Sequence, residues 1–137
     1  MTSILGRAAL VWLLIAAAET VHGVARALWL VPRVGDLASR QIGVATGSLI
    51  ILTIAWASID WIGARRRADL LRVGLLWLAL MLAFEIGLGL AVGTGWERLL
   101  ADYLPWKGGF MLAGMAVLAL APWIAARLRS GRRPESP

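Results

Sequence analysis

The chain contains no cysteine, which excludes disulfides, thiolate metal sites and cysteine nucleophiles. Its single histidine, His22, excludes a multi-histidine metal cluster within one chain and haem ligation by two histidines of the same chain. Charged residues make up only 16% of its 137 residues. The sequence shows no serine-histidine-aspartate arrangement, phosphate-binding loop or nucleotide fingerprint, which disfavours catalysis.

Apolar side chains dominate what remains: 60% of the residues are hydrophobic and the mean hydropathy is +0.76. Soluble domains are typically about 45–50% apolar. A helix needs about 20 mostly apolar residues to span a bilayer. Four segments meet that requirement, at residues 8–31, 42–64, 70–95 and 109–126. We therefore expect an all-α integral membrane protein: a four-helix transmembrane bundle over residues 1–129 and a disordered cytoplasmic tail over 130–137.

Basic residues predict the orientation of this bundle. A cytoplasmic N-terminus places nine of the 14 arginines and lysines inside and five outside. The run Arg65-Arg66-Arg67 between the second and third segments decides this bias. The net charge of +6 is thus explained by membrane topology and anionic lipid, and we reject a nucleic-acid partner. These patterns predict a bacterial-type inner membrane with both termini cytoplasmic.

The connection between the third and fourth segments predicts a short amphipathic helix on the outer surface. Charged residues separate the apolar ones, and Pro105 would end the helix. The apolar residues that recur at helical spacing are Trp96, Leu99, Leu100, Tyr103 and Leu104.

A shift of 66 positions reveals a possible internal repeat. It places Glu19 on Glu85, Gly23 on Gly89, Asp36 on Asp102 and Gly43 on Gly109. Such matches predict a duplicated two-helix hairpin, with halves related by an axis along the membrane normal. Chance is the alternative, because glycine, leucine and alanine matches are frequent in this composition.

Charged residues inside the predicted spans are the strongest functional signal. Glu19, His22 and Arg26 lie on one stripe of the first helix. Glu19 falls roughly 16 Å and Glu85 roughly 22 Å from the inner ends of their helices, at a rise of about 1.5 Å per residue. We therefore expect Glu19, His22 and Glu85 to meet inside the bundle, with Arg26 on their outer side.

An ionised carboxylate in hydrocarbon costs roughly 2.5–3.5 kcal/mol, so these side chains should pair, bind a ligand or hold a proton. A transport or proton/cation-relay role at Glu19, His22, Arg26 and Glu85 is the favoured hypothesis. A divalent metal held by Glu19, His22 and Glu85 is a second. A structural cluster, with a glutamate paired to Arg26, is the non-functional alternative.

Two further hypotheses concern ligands and partners. Arg26, Arg33 and Arg40 form a candidate anion site near the outer surface. For the whole chain, an accessory or structural subunit of a larger membrane complex is the alternative to transport, and a metal-dependent membrane enzyme is a weaker one. The expected partners are the lipid bilayer and either further copies of the chain or another membrane protein.

Glycines spaced four residues apart predict close helix packing. This interpretation covers Gly43 and Gly47 on the second helix, Gly89 and Gly93 on the third and Gly109 on the fourth. Packing within the bundle is favoured over packing between chains.

Overall fold

A computed structural model describes residues 3–93, 95, 97 and 111–130, and within them the fold is all-helical with no strands. Four of its helices are long and apolar enough to cross a membrane, as predicted. They are α1 (Ile4–Val34), α2 (Asp36–Ile62), α3 (Arg67–Ala91) and α4 (Met111–Ser130). The predicted outer amphipathic helix, the tail beyond Ser130, and Asp102 and Gly109 of the repeat lie outside the described residues.

Local signals explain where these helices begin and end. The Ser3 hydroxyl accepts from the Gly6 N–H at 3.0 Å and caps α1. Gly35 and Gly63 follow α1 and α2 with φ of 85° and 82°, a backbone conformation that favours glycine. The helix α2 begins well before the predicted residue 42, because the polar residues from Asp36 onwards belong to its first turns and not to a loop.

A π-helical segment, Arg26–Leu30, interrupts the α-helical pattern of α1. The Val31 N–H donates to the Arg26 carbonyl five residues earlier, which is the hydrogen-bond spacing of a π-helix. Pro32 follows directly, and its ring removes an N–H and displaces the carbonyl four residues before it. The wider turn absorbs that displacement and lets the helix continue to Val34.

The four helices pack with α1 against α2 and α3, and with α4 against the same two helices. In the described residues α1 scarcely touches α4, so these two helices occupy opposite corners of the bundle. The two hairpins therefore lie side by side, with α1 next to α3 and α2 next to α4. A two-fold axis along the bundle would place those corresponding helices at opposite corners, so the predicted axis is wrong. The duplication itself stays a prediction.

The terminal half of the bundle, which contains the first turns of α1 and the last turns of α4, holds the apolar core. Trp77 of α3 is fully buried there, and its Nε1–H donates to the Ala8 carbonyl of α1 at 2.8 Å. Gly74 of α3 faces α4, where a Cβ would overlap the Ala119 carbonyl oxygen. The other large side chains that are fully buried in this half include Ile15, Ile62, Val73 and Pro122.

Two arginines join the helix termini to the end of α2. The Arg129 guanidinium donates to the Trp56 carbonyl at 2.7 Å and to the Asp60 carboxylate at 3.1 Å. Arg7 donates to the Trp61 carbonyl at 2.9 Å and lies over the Trp61 ring. Such contacts fix α1 and α4 against α2 in the terminal half. Among the described residues, the opposite half of the bundle has no apolar core of this kind.

Candidate functional site

A cavity of about 500 Å³ lies between all four helices in the half of the bundle that contains the α1–α2 connection. We call it the polar cavity, and that half the cavity half. Pockets of this size accommodate small molecules. The structure brings all four sequence-predicted ligand residues to its wall, together with one further arginine. Its charged and titratable lining residues are Glu19, His22, Arg26, Arg40 and Glu85.

His22 is held between a carboxylate and a hydroxyl. Its Nδ1 lies 3.7 Å from Glu19 Oε2, and its Nε2 lies 2.6 Å from Thr46 Oγ1 on α2. The Thr46 hydroxyl also lies within hydrogen-bond distance of the Ile42 carbonyl, at 3.0 Å. The tautomer of His22 decides whether Nε2 donates to the Thr46 oxygen or accepts from it, and in either tautomer Nδ1 is the nitrogen that faces Glu19.

The Glu19 carboxylate is only partly satisfied by the described residues. Oε2 faces the imidazole, whereas Oε1 is buried with no hydrogen-bond partner among them. Glu85 of α3 also lines the cavity, close enough for the two carboxylates to repel each other. A proton or a cation at this position would relieve both the repulsion and the unsatisfied oxygen.

Gly43 and Gly47 have a different role from the predicted one. A Cβ on Gly47 would lie 2.9 Å from Glu19 Oε2, and a Cβ on Gly43 would lie 2.8 Å from Arg26 Cδ. Both glycines therefore make room for charged side chains of α1, whereas close backbone packing had been expected. A side chain at either position would push the charged groups of α1 away from where they lie.

The packing prediction for α3 is also wrong at Gly93. The helix ends at Ala91, and Gly93 follows with a φ of 81°; among the described residues, no atom lies within 4 Å of an added Cβ there. The close backbone approach of α3 is at Gly74 instead. A packing role for Gly89 stays a prediction, and Gly109 lies outside the described residues.

The structure separates the three arginines of the candidate anion site. Arg26 lines the cavity, and its Nη1 donates to the fully buried Ser39 hydroxyl at 3.2 Å. Arg40 also lines it and pairs with Asp36 at 3.0 Å. Arg33 is exposed and does not contribute to the lining. Only two of the three arginines can reach a ligand in the cavity.

The metal hypothesis is not supported by this geometry. In residues 3–93, 95, 97 and 111–130, no three histidine, aspartate or glutamate side chains are arranged to hold a metal ion. Glu19, His22 and Glu85 share the cavity wall without converging on one point. The imidazole is also committed to Thr46 through Nε2, which leaves one nitrogen for any other ligand.

Sequence analysis missed the contribution of α2 to this site. Ser39 and Thr46 bind the arginine and the histidine of α1, and Gly43 and Gly47 accommodate the side chains beside them. These four small residues recur at helical spacing on one face, a pattern visible in the sequence. A face of small residues on α2 and a stripe of charged residues on α1 are complementary in size, and this complementarity could have indicated that the two faces pack together.

No protein-family model, no curated protein and no solved structure matches the chain.

Proposed function

We propose that the protein is a multi-pass protein of a bacterial-type inner membrane, with both termini cytoplasmic, and that its polar cavity serves a transport or proton/cation-relay function. The outward surface supports membrane insertion, because large apolar side chains cover it. Those on α1 include Leu10, Leu13, Leu14, Val21, Val24 and Leu28, each at least 53% exposed. Contiguous apolar surface of this extent is unsuited to water and suited to lipid.

The observation that carries the proposal is the Glu19–His22–Thr46 arrangement. Thr46 occupies Nε2, so any proton exchanged by His22 with Glu19 passes through Nδ1. The 3.7 Å gap between Nδ1 and Oε2 is too long for a direct hydrogen bond and short enough for a small movement to close. Glu85 lines the same cavity, so its negative charge acts on Glu19 from the α3 side.

These groups form a site that binds one proton or cation more favourably than none. Two neighbouring carboxylates disfavour both being ionised without compensation. The rest of the lining is largely apolar, including Ile51, Phe84, Met115 and Leu118, so charge has few other places to reside. A carrier of protons or small cations requires such a site within reach of a cavity among its helices.

Reconstitution of the full chain in liposomes tests the proposal. A potassium diffusion potential drives protons inwards, and an internal pH-sensitive dye records the flux. Wild-type protein should carry protons, and Glu19→Gln or Glu85→Gln should lower the flux by roughly 100-fold, as loss of a positioned proton-transfer group does. Glu97→Gln is the matched control, because Glu97 is exposed and does not line the cavity.

Full flux in both cavity variants, with the fold intact by circular dichroism, would refute the relay. Wild-type protein that carries no protons but co-purifies stably with a second membrane protein would instead identify an accessory subunit. The same assay repeated with sodium or potassium as the driven ion distinguishes a proton relay from a cation relay.

A further inference from the structure

Arg26 presents unused hydrogen-bond donors to the polar cavity. A guanidinium carries five N–H donors. Among the described residues, that of Arg26 makes one hydrogen bond, to the Ser39 hydroxyl at 3.2 Å. A Cβ on Gly43 would lie 2.8 Å from Arg26 Cδ, so the glycine is what allows the Arg26 side chain to lie along α2 at the cavity wall. Arginine in this state is suited to a planar oxyanion such as a carboxylate, which it can bind through two parallel bonds.

The surroundings of Arg26 limit the charge of such a ligand. Arg40 adds positive charge to the same wall, although Asp36 partly neutralises it. Glu19 lies two helical turns from Arg26 along α1, about 10 Å away at 1.5 Å per residue, and Glu85 faces the same cavity. A second negative charge on the ligand would be repelled by these carboxylates, so a monovalent anion fits best.

The remaining lining defines the rest of the ligand. Side chains from three helices, including Val44, Ile51, Phe84, Leu88 and Met115, provide an apolar wall. A cavity of about 500 Å³ exceeds what an inorganic anion needs. The body of the ligand should therefore be apolar and of the size of an aromatic ring or a short acyl chain.

We infer that the polar cavity binds a monovalent organic anion, with its carboxylate or similar oxyanion group on Arg26 and its apolar body against α2, α3 and α4. This substrate assignment rests on the proposed function, because the same cavity holds the relay residues. A soluble carboxylate and an anionic lipid share this chemistry, and the test distinguishes them.

The position of His22 couples the anion to the proton. His22 lies one turn from Arg26 and one turn from Glu19 on the same stripe of α1. An anion on Arg26 cancels positive charge beside the imidazole, so anion binding and proton uptake favour each other, and the coupling is reciprocal. The two charges would then move together as a neutral pair.

Calorimetric titration of the full chain in nanodiscs of zwitterionic lipid tests the inference, with benzoate and hexanoate as probes. At least one probe should bind, and benzamide, which lacks the charge of benzoate, should bind at least about tenfold more weakly. Arg26→Gln should weaken binding by about ten- to a hundredfold. Arg33→Gln removes the same charge outside the cavity and should leave binding unchanged.

Arg26→Lys provides a second variant in case Arg26→Gln does not fold. It keeps the charge and loses the planar donor pair, so binding should fall by less than in Arg26→Gln. Titrations in two buffers of different ionisation enthalpy should also show proton uptake with the anion. In nanodiscs that contain phosphatidylglycerol, an Arg26-dependent loss of probe affinity would identify anionic lipid as the ligand, and unchanged affinity would identify a soluble carboxylate.

Failure of both carboxylates to bind, or equal binding by wild-type protein and a folded Arg26→Gln variant, would overturn the inference. Proton flux in a protein that binds neither probe would overturn it and leave the relay standing. Arg26-dependent binding in a protein without proton flux would support the anion site and refute the relay.

Discussion

The two halves of this bundle use the same four helices for different purposes. In the terminal half, Trp77 and its neighbours fill the interior, and Gly74 brings α3 against the backbone of α4. In the cavity half, Gly43 and Gly47 make room for charged side chains and a cavity remains. Glycine thus brings backbones together in one half and accommodates functional groups in the other.

The difference suggests how a chain of 137 residues tolerates charges in its interior. Buried charged groups that lack full pairing destabilise a fold. Dense packing in the terminal half, together with the Arg129 contacts to α2, offsets that cost. We therefore expect substitutions in the terminal half to reduce stability first, and substitutions in the cavity half to reduce proton flux first.

Gly74→Ala should give the largest effect. The added methyl group would overlap the Ala119 carbonyl oxygen, and backbone cannot rotate aside. The free energy of unfolding in mild detergent should fall by about 3 kcal/mol. Gly87→Ala on the same helix adds its methyl where no atom of the described residues lies within 4 Å, so its stability should be unchanged or slightly higher. Equal stability of the two variants would contradict the close approach of α3 and α4.

Trp77→Leu should be the next most destabilising change. It removes a fully buried ring and the hydrogen bond to the Ala8 carbonyl, and leucine refills part of the space, so the free energy of unfolding should fall by about 2 kcal/mol. Trp61→Leu is the control, because Trp61 is 52% exposed and should cost less than about 1 kcal/mol. A smaller loss in Trp77→Leu than in Trp61→Leu would show that the core lies elsewhere.

Gly47→Ala should separate function from stability. Its methyl group would meet the Glu19 carboxylate, the mobile end of a side chain, so the fold should tolerate it while the carboxylate moves away from His22. Proton flux into liposomes should fall roughly 10- to 100-fold, as misplacement of a reacting group by about 1 Å can cause. Gly114→Ala also alters the cavity wall, meets no atom within 4 Å in the part of the chain that the structure describes, and should retain its flux. Wild-type flux in Gly47→Ala would contradict the interpretation that Gly47 makes room for the Glu19 carboxylate.

Thr46→Val should give the smallest of these effects. It removes the hydroxyl that bonds to His22 Nε2 and frees the imidazole to rotate. Loss of one such hydrogen bond corresponds to a reduction in flux of about tenfold. Thr53→Val removes a hydroxyl on the same helix that bonds only to the Leu49 carbonyl, so its flux should equal that of wild type. Identical flux in the two variants would argue against a role for Thr46.

The helices were predictable because their signals are local. Hydropathy placed all four long helices, although α2 begins earlier than expected, since the sequence alone did not show that Asp36, Ser39 and Arg40 continue the helix. Helical spacing placed Glu19, His22 and Arg26 on one stripe, and the rise per residue placed Glu85 near their level. The structure gathers all four around one cavity.

The roles of the glycines were not predictable by the same means. A glycine at helical spacing indicates that something lies close to it, and only the neighbouring helix shows what that is. Gly47 meets a carboxylate and Gly74 meets a backbone carbonyl, yet both lie in apolar sequence. Gly93 follows the end of its helix, which a count of residues did not show.

The sequence by itself determined that four long apolar helices make up the described part of the chain, and on which face of α1 the charge lies, because hydropathy and the helical repeat act along the chain. The tertiary structure alone decided which faces meet. Helices that are apolar all round give no local sign of which side faces the core, so the partners of Glu19, His22 and Arg26 on α2 depend on residues roughly 13 to 28 positions away in the chain. That packing places the charged stripe of α1 on the wall of a cavity. It also leaves Glu19, His22 and Glu85 in positions that, among the described residues, do not form a metal site.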